Sequence, residues 1–517
     1  MAFSLFLAPA SWYTFKIDDM GENISQAGCT ILSLRDIQIL VPLVIFFMAV
    51  LPPFVRLLLT LPHEGTGGKG QEMRKAAFCF MALWQFPFLL ALYPAPGMND
   101  TLFMIENPLY GGVQFPWLYS AIYGYGVQAG KVLWGSREPA VFLLALFQLA
   151  VYAWGLVGIV FFIKKRYGSR PALLLYLYFT FFPMMGNYGI AAVRDGLFSL
   201  SLVLWMILFL KKEKWEKKDY ALAALASMGL MLLRSNGAFI AGGLFILLAL
   251  RKRQWKREMA LFVLCLIAAV LPGHIILSCH GWEPQFQESM AIPLQQLGRV
   301  MVMGGGRSDE TVHFMETLLP EEKWKKSYSS VTVDFVKWHD DFRRDKLNGN
   351  KEKFLKLWLD TGLRNPRIYM EGWMTETYAL WNLDPEEHSV QSRFGWALTD
   401  ENTRNMKPSD NDMLGLGDFP MPFSIKSFLG NYIFSGSRFL GSGLCLWVTL
   451  FFCLLFYCGK RKELIFSAMP LLLNTATLLL STPASAVFRY SFAYVPGLPL
   501  LLLIFLYEQP WGEGSET

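Results

Sequence analysis

Eleven apolar runs divide this chain of 517 residues, and clusters of Lys and Arg fall at every second junction between them. This alternation predicts repeated membrane crossing, because Lys and Arg are retained on the cytoplasmic side during insertion. Several runs are shorter than the roughly 20 residues that an upright spanning helix needs, so helix ends must extend into the polar flanks or the bilayer must thin. The runs are approximately Ile37–Leu61, Ala76–Pro94, Ala140–Ile163, Leu173–Ala191, Gly196–Leu210, Ala221–Leu233, Ala238–Leu250, Met259–Ser278, Leu440–Tyr457, Leu464–Leu480 and Ser491–Tyr507.

The basic clusters set the predicted orientation of the chain. Each cluster is separated from the next by two runs, so all five are predicted to be cytoplasmic, and with eleven spans the C-terminus is cytoplasmic too. Residues 1–15 make a poor signal peptide and are either an interfacial helix or a twelfth span, which would move the N-terminus to the cytoplasm. The clusters are Lys69, Arg74 and Lys75; Lys164, Lys165, Arg166 and Arg170; Lys211, Lys212, Lys214, Lys217 and Lys218; Arg251, Lys252, Arg253, Lys256 and Arg257; and Lys460, Arg461 and Lys462.

The junctions between runs that lack a basic cluster are predicted to lie on the extracytoplasmic face. They are residues 95–139, Arg194–Asp195, Arg234–Gly237, a long segment from about Cys279 to Arg438, and Thr482–Arg489. The predicted organisation is an N-terminal transmembrane region at residues 1–278 with a first outer loop at 95–139, an extracytoplasmic loop domain at 279–438, and a C-terminal transmembrane region at 439–517. The fold class is an all-α polytopic membrane protein.

The composition agrees with this class. Hydrophobic residues make up 53% of the chain, aromatic residues 15%, and the mean hydropathy is +0.33. The net charge of +6 predicts no nucleic-acid partner, because the basic residues concentrate in the cytoplasmic loops, where anionic membrane lipids account for them. Of the seven cysteines, only Cys29 and Cys279 fall on the predicted outer side.

The long outer segment contains helical patterns. Asn365 before Pro366 is a helix N-cap followed by the favoured first-turn proline, so a helix should begin there. Two further helices are predicted at Lys351–Leu363 and at Asp309 to about Leu319. Lys351–Leu363 is too apolar for a free-standing helix and should lie against neighbours or the membrane surface. Asn382–Phe419 is rich in Asn, Asp, Gly and Pro and indicates a loop.

Two outer junctions carry carboxylates. Asp100 follows the Pro/Gly turn that ends the second run, which suits either a catalytic base just outside the bilayer or an ordinary solvated turn. Arg194 and Asp195 stand between two runs with little room for a loop, where charges are costly unless paired or functional. Asp195 also suits the N-cap of the next helix, and that role is compatible with a site at the same terminus.

Two more outer junctions carry guanidinium groups. Arg234 and Asn236 break two apolar runs, and Arg is suited to bidentate phosphate contact, the alternative being a turn whose Arg reaches the interface. Arg489 and Tyr490 lie at the outer end of the last run, as a site or as an interfacial anchor. Jointly, two carboxylates and three guanidinium groups on one face favour an anionic lipid-linked substrate.

Four motifs at these junctions, taken in order, resemble the GT-C superfamily of integral membrane glycosyltransferases. They are Tyr93–Pro94 with Asp100, Arg194–Phe198, Leu233–Gly237 and Phe488–Tyr490. Within it they are similar to a bacterial family of uncharacterised proteins with the pattern Y-P-G…D-S, K-D-x-x-F, R-N-N-G and Y-F-R-Y. The family's loop element E-S-x-x-x-P-x-Q-Q matches Glu288–Gln296, which Arg299 follows, and its D-x-V-K element matches Asp334–Lys337. The resemblance extends from about Ile37 to Tyr507.

The resemblance implies transfer of a sugar from a polyprenyl-phosphate donor to a cell-envelope glycan, lipid or protein acceptor. It makes Asp100 the catalytic base and Asp195 a second catalytic candidate that binds a divalent metal, Mg²⁺ or Mn²⁺, or orients an Arg. Metal dependence is undecided, and Asp100 and Asp195 are the metal-binding candidates. The implied donor-phosphate residues are Arg194, Arg234, Asn236, Arg489 and Tyr490. The implied acceptor or loop-domain residues are Glu288, Gln295, Gln296, Arg299 and Lys337.

Departures from the family pattern keep other functions open. Thr101 replaces Ser, Gln114 and Phe115 stand where the family has two His, and Ser235 replaces Asn. A divergent specificity or an inactive relative would produce such changes. The alternatives are a transporter or flippase of lipid-linked sugars, which would place charged groups near the bilayer midplane, and a noncatalytic envelope-binding membrane protein.

Overall fold

The computed structural model describes residues 71–97, 99–211, 215–383, 441–482 and 487–508, together with Met48, Leu429 and Tyr432. Over these residues the regular structure is helical, so the all-α class is confirmed. Three of the predictions above fall outside the described residues, apart from Met48, Asn382 and Leu383: the apolar run Ile37–Leu61, residues 1–15, and the loop Asn382–Phe419.

Ten α-helices precede residue 280 in the described part of the chain. They are α1 Gln71–Ala91, α2 Asn99–Glu106, α3 Trp117–Trp134, α4 Glu138–Tyr167, α5 Ser169–Phe181, α6 Pro183–Ile190, α7 Asp195–Leu210, α8 Lys217–Leu233, α9 Gly237–Lys252 and α10 Trp255–Cys279. Helices α2 and α3 lie within the predicted first outer loop, joined by a 3₁₀ turn at Tyr110–Val113.

Eight shorter α-helices follow in what we call the middle segment, residues 279–383. They are α11 Phe286–Ser289, α12 Ala291–Met303, α13 Asp309–Leu318, α14 Glu321–Ser327, α15 Asp334–Lys337, α16 Arg344–Gly349, α17 Lys351–Arg364 and α18 Pro366–Trp381. Three more lie near the C-terminus: α19 Ser442–Cys458, α20 Ile465–Ser481 and α21 Tyr494–Tyr507. Short 3₁₀ turns at Lys462–Leu464 and Phe488–Ser491 precede the last two.

Helix α7 lies at the centre of the helical bundle. After Asp195 it contains no charged residue, and nearly all of its side chains are buried. A helix that is apolar on all sides must be enclosed by other helices, and α7 packs against α4, α8, α20 and α21. This central position fixes Asp195, the first residue of α7, in the interior of the protein.

The sequence predicted one span over Leu173–Ala191, and this prediction is wrong. The chain divides at Phe182 into α5 and α6, because Pro183 has no N–H to donate and disfavours helical backbone at the residue before it. Helix α6 then meets α7 at a bend of 117°. The bend leaves a short non-helical junction, residues 191–194, enclosed within the protein.

Four helical stretches in the described residues are long and apolar enough to cross a membrane, or five if α6 and α7 are counted as one bent span. The four are Glu138–Tyr167, Trp255–Cys279, Lys462–Ser481 and Phe488–Tyr507. The count of about eleven spans stays a prediction.

The middle segment has a hydrophobic core of its own, built around Leu294, Trp324 and Phe354. The helix starts predicted from sequence are confirmed, since α13 begins at Asp309, α17 at Lys351 and α18 at Pro366. Helix α18 joins this core to the bundle by packing against α12 on one side and α19 and α20 on the other.

Glu508, which directly follows α21, links that helix to the C-terminal end of α4 by hydrogen bonds. Its carboxylate accepts hydrogen bonds from Arg166 Nε and Nη2 at 2.8 and 2.7 Å and from Tyr167 Oη at 2.7 Å.

We expect Glu508→Gln to lower the free energy of unfolding by about 2 kcal/mol, because a partly buried guanidinium loses its counter-charge. Thermal unfolding in nanodiscs measures this. Glu316→Gln is the control, because Glu316 is an exposed glutamate of the middle segment. Equal melting temperatures for the two variants would contradict the prediction.

Candidate functional site

Asp100 lies in the first turn of α2, and backbone contacts hold that turn against the junction between α6 and α7. The Ala192 N–H donates to the Pro96 carbonyl at 2.8 Å, and Thr101 Oγ1 donates to the Ala192 carbonyl at 2.7 Å. The loop that precedes α2 is thereby fixed beside Arg194, although about ninety residues separate the two in sequence.

Two arginines converge on one oxygen of Asp100. Arg489 Nη2 lies 3.0 Å from Asp100 Oδ2, and Arg194 Nη2 lies 3.4 Å from the same atom. Both guanidinium side chains are 11% exposed, whereas the Asp100 side chain is 26% exposed. The carboxylate is therefore the most accessible member of this group of three.

Asp195 and Arg234 form a second ion pair beside the first. The Arg234 guanidinium also lies over the ring of Tyr490, 4.3 Å from its centroid, and Arg489 Nη2 donates to Tyr490 Oη at 3.2 Å. Tyr490 thus contacts both arginines and connects the two ion pairs. Because Asp195 is almost fully buried, this pair is inside the protein and not a surface anchor.

Asn236 lies against α20. It donates from Nδ2 to Thr477 Oγ1 at 2.8 Å, and Asn474 donates from Nδ2 to the Tyr490 carbonyl at 2.9 Å. These amides hold the junction after α8 and the turn before α21 in place. Asn236 thus has a positioning contact in this structure, and the phosphate-binding role that the resemblance implies for it stays a prediction.

The charges at this site do not balance. Two carboxylates face three guanidinium groups, which leaves one positive charge in excess. Burial raises the pKa of Asp100, but the charges of Arg489 and Arg194 outweigh it, so the pKa of the carboxyl is below its ordinary value. Within the described residues, Arg194 Nη1 is a buried donor without a hydrogen-bond partner. The site therefore has both charge and hydrogen-bonding capacity for an anion.

The site fits a resident divalent metal poorly. The described residues contain no group of three or more His, Cys, Asp or Glu side chains that could hold a metal ion. Asp100 and Asp195, the two sequence candidates, are each paired with arginine. A divalent cation bound by either carboxylate would have to displace the arginines paired with that carboxylate. It would then be repelled by the remaining guanidinium groups of the site. Asp195 forms an ion pair with Arg234, and both roles implied for Asp195 stay predictions.

The middle-segment candidates fall into two groups. Lys337 Nζ contacts Glu288 Oε2 at 3.1 Å, and the charge of Asp100 contributes to raising the pKa of Glu288, after burial and Asp334. Glu288 is therefore near enough to Asp100 for the two charges to interact.

Gln295, Gln296 and Arg299 form the second group and lie inside the middle segment. Gln295 Nε2 donates to the carbonyls of Ser329 and Ser330 at 2.7 and 2.8 Å, and Arg299 Nη2 pairs with a buried Glu371 at 3.1 Å. Their contacts hold helices together, and an acceptor-binding role for them stays a prediction.

Two contacts of the site were missed from the sequence. Gln148 Nε2 donates to the carbonyls of Ala191 and Val193 at 2.6 and 3.0 Å and so holds the junction that presents Arg194. A lone amide within the apolar run Ala140–Ile163 was the available signal. Phe115 lies 4.3 Å from the Arg194 guanidinium. Its position is one of the two where the resembled family has His.

No curated protein matches this chain. The crystal structure of ArnT from Cupriavidus metallidurans bound to undecaprenyl phosphate is similar over 82% of this chain and 76% of that one, at 13% identity and a TM-score of 0.31. So weak a likeness supports no conclusion about fold or activity. A family model matches residues 106–516, which include Asp195, Arg234 and Arg489 and begin after Asp100. Because that match covers most of the sequence, the chain belongs to a family of unknown function, DUF6020.

Proposed function

We propose that this protein is an integral membrane glycosyltransferase that transfers a sugar from a polyprenyl-phosphate donor to an acceptor on the extracytoplasmic face. The observation that supports the proposal best is the contact of Arg489 and Arg194 with the same oxygen of Asp100, the most exposed of the three side chains. A general base needs access to its substrate, and a phosphate leaving group needs buried cations beside that base.

In the proposed reaction Asp100 accepts the proton of an acceptor hydroxyl. The hydroxyl oxygen forms a bond to the anomeric carbon of the donor sugar, and the bond from that carbon to the phosphate oxygen breaks with its electron pair on the phosphate. The products are the glycosylated acceptor, polyprenyl phosphate and a protonated Asp100. Arg489 and Arg194 stabilise the charge that develops on the phosphate, with Arg234 behind them.

Donor binding should also activate the base. Without substrate, Arg489 and Arg194 contact Asp100 and lower the pKa of its carboxyl, which makes it a weak base. A donor phosphate competes for the same guanidinium groups and adds a negative charge beside the carboxylate. Both effects raise the pKa of Asp100, so the base becomes stronger once the donor is in place.

The pH dependence of transfer is expected to show this change. The acid limb of kcat/KM for the donor reports the free enzyme, and the acid limb of kcat reports the complex. Since the pKa of Asp100 is lowered in the free protein, activity in kcat/KM should be lost only below the ordinary carboxyl range. The limb in kcat should lie about one pH unit or more higher. Initial rates at limiting and saturating donor measure both limbs, and coincident limbs would contradict the exchange of arginine partners.

The test of the proposed function is transfer by the purified full-length protein in nanodiscs, supplied with undecaprenyl-phosphate sugars and an extract of cell-envelope acceptors. The expected result is loss of the donor with release of undecaprenyl phosphate, dependent on the wild-type site. Movement of a labelled lipid-linked sugar across the bilayer without transfer would instead support the transporter. Absence of both, together with no binding of undecaprenyl phosphate, would support a noncatalytic protein.

The proposed topology predicts the labelling of two exposed cysteines. Cys279 ends α10 on the proposed outer side, and Cys458 ends α19 on the proposed cytoplasmic side. In variants that keep one of these cysteines and no other, a membrane-impermeant maleimide is expected to label Cys279 in intact cells and Cys458 only after lysis. Labelling of Cys458 in intact cells would overturn the orientation and with it an outer-face reaction.

A further inference from the structure

A second group of ionisable side chains lies in the middle segment, and the reaction proposed above does not use it. We call it the Lys337 cluster: Lys337, Glu288, Asp334 and Glu376. Lys337 is buried, and its Nζ lies 3.1 Å from Glu288 Oε2 and 3.0 Å from Asp334 Oδ1. Two carboxylates thus pair with one ammonium group, and Glu376 lies near enough for the charges of Asp334 and Lys337 to act on it.

Glu376 is the unusual member of the cluster. Its side chain is 0% exposed, and apart from an interaction with the Val333 backbone its carboxyl oxygens have no hydrogen-bond partner in the described part of the chain. Burial and then the charge of Asp334 raise its pKa well above the ordinary value, against the smaller effects of Lys337 and the Val333 backbone. The raised pKa favours the protonated form of Glu376, which is both a donor and an acceptor.

Unpaired polar atoms continue along the chain next to the cluster. Glu288 Oε1 is buried without a hydrogen-bond partner among the described residues, and so are Oε1 and Nε2 of its neighbour Gln287. Native proteins pair about 90% or more of their buried polar groups, and unpaired ones indicate bound water or a ligand. Four of the five unpaired atoms on Gln287, Glu288 and Glu376 are oxygens, so the missing partner is rich in donors.

Two observations connect the cluster with the proposed reaction site. The charge of Asp100 is felt at Glu288, where it raises the pKa of that carboxyl as the last of several causes, burial being the first. The Gln285 N–H donates to the Val113 carbonyl at 3.1 Å. This bond fixes the start of the middle segment against the loop that follows α2, the helix of Asp100.

We propose that the Lys337 cluster binds the hydroxyl groups of a carbohydrate acceptor and presents one of them to Asp100. This inference rests on the proposed function and narrows its acceptor to a glycan. Hydroxyl groups supply the donors that the unpaired oxygens lack, and Lys337 and the Gln287 amide can donate to hydroxyl or ring oxygens. A phosphate would be repelled by the carboxylates, and an acyl chain would leave every polar atom unpaired.

The experiment measures saccharide binding to the full-length protein in nanodiscs that contain undecaprenyl phosphate. Saturation-transfer-difference NMR with glucose, galactose, mannose and N-acetylglucosamine is the readout, and Glu376→Gln and Glu288→Gln are the variants. At least one saccharide is expected to bind, with an affinity at least ten-fold weaker in both variants. Glu316→Gln is the matched control, since Glu316 is an exposed glutamate of the same segment, and it should bind as the wild type does.

Glutamine keeps the volume of the Glu376 side chain and carries no charge, so the melting temperature of Glu376→Gln should stay close to that of the wild type. Wild-type saccharide affinity in both variants, or no binding of any of the four saccharides, would overturn the proposal. Undecaprenyl phosphate binding is measured on the same samples. If it persists while the saccharide result is negative, this inference fails alone. If it is absent in the wild type, the proposed function fails.

Discussion

Replacement of Asp100 by Asn is expected to lower sugar transfer by about 100- to 10,000-fold, the range that general-base catalysis contributes. An amide has the shape of the carboxylate but cannot accept the acceptor's proton. Its oxygen can still accept hydrogen bonds from Arg489 and Arg194, so the fold of the site should persist. The measurement is the initial rate of transfer in nanodiscs at saturating donor and acceptor.

Donor affinity separates catalysis from a structural role for Asp100. In the wild type the carboxylate competes with the donor phosphate for two guanidinium groups, and the amide is a weaker competitor. Asp100→Asn should therefore bind undecaprenyl phosphate at least as tightly as the wild type while transferring poorly. Glu106→Gln, an exposed residue in the same helix, is the control and should leave both unchanged. Transfer within threefold of the wild-type rate would leave Asp100 as an ion-pair partner only.

The grouping of these residues could be predicted from the alternation of basic clusters, but their pairing could not. Alternation places Asp100, Arg194, Arg234 and Arg489 at junctions of one face. It gives no distances, because the order of runs along the chain does not say which helices are neighbours. In the structure Arg489 forms an ion pair with Asp100, and Arg234 forms an ion pair with Asp195. Each partner is set by the packing of α7 against α8, α20 and α21.

Local signals along the chain differed in reliability. Asn365 before Pro366 marked a helix start, because both residues act on the backbone within one turn. Pro183 carried an equally local signal, but it lay inside an apolar run and was read as part of a span. The role of Glu376 could not be predicted from local sequence. It depends on complete burial of the side chain and on neighbours from α15, and no pattern within α18 reveals either.

Arg489→Gln is expected to weaken undecaprenyl phosphate binding and to lower transfer by about 100- to 1,000-fold, the usual cost of removing one preorganised group that stabilises transition-state charge. Arg489 is the arginine closest to Asp100 and also contacts Tyr490. Its loss leaves Asp100 with Arg194 alone. The acid limb of kcat/KM should then move to higher pH, because the largest of the three arginine charges that lower the pKa of Asp100 is gone.

Arg489→Lys distinguishes charge from geometry at the same position. Lysine keeps the positive charge but lacks the planar fork that contacts two oxygens at once. Its transfer rate should lie between those of the wild type and Arg489→Gln. Arg364→Gln, an exposed arginine of the middle segment, is the control and should bind the lipid normally. Titration of undecaprenyl phosphate by native mass spectrometry measures all four proteins. Among the described residues no other arginine lies as close to the proposed base. Wild-type lipid affinity in Arg489→Gln would therefore mean that the excess positive charge of the site serves another anion.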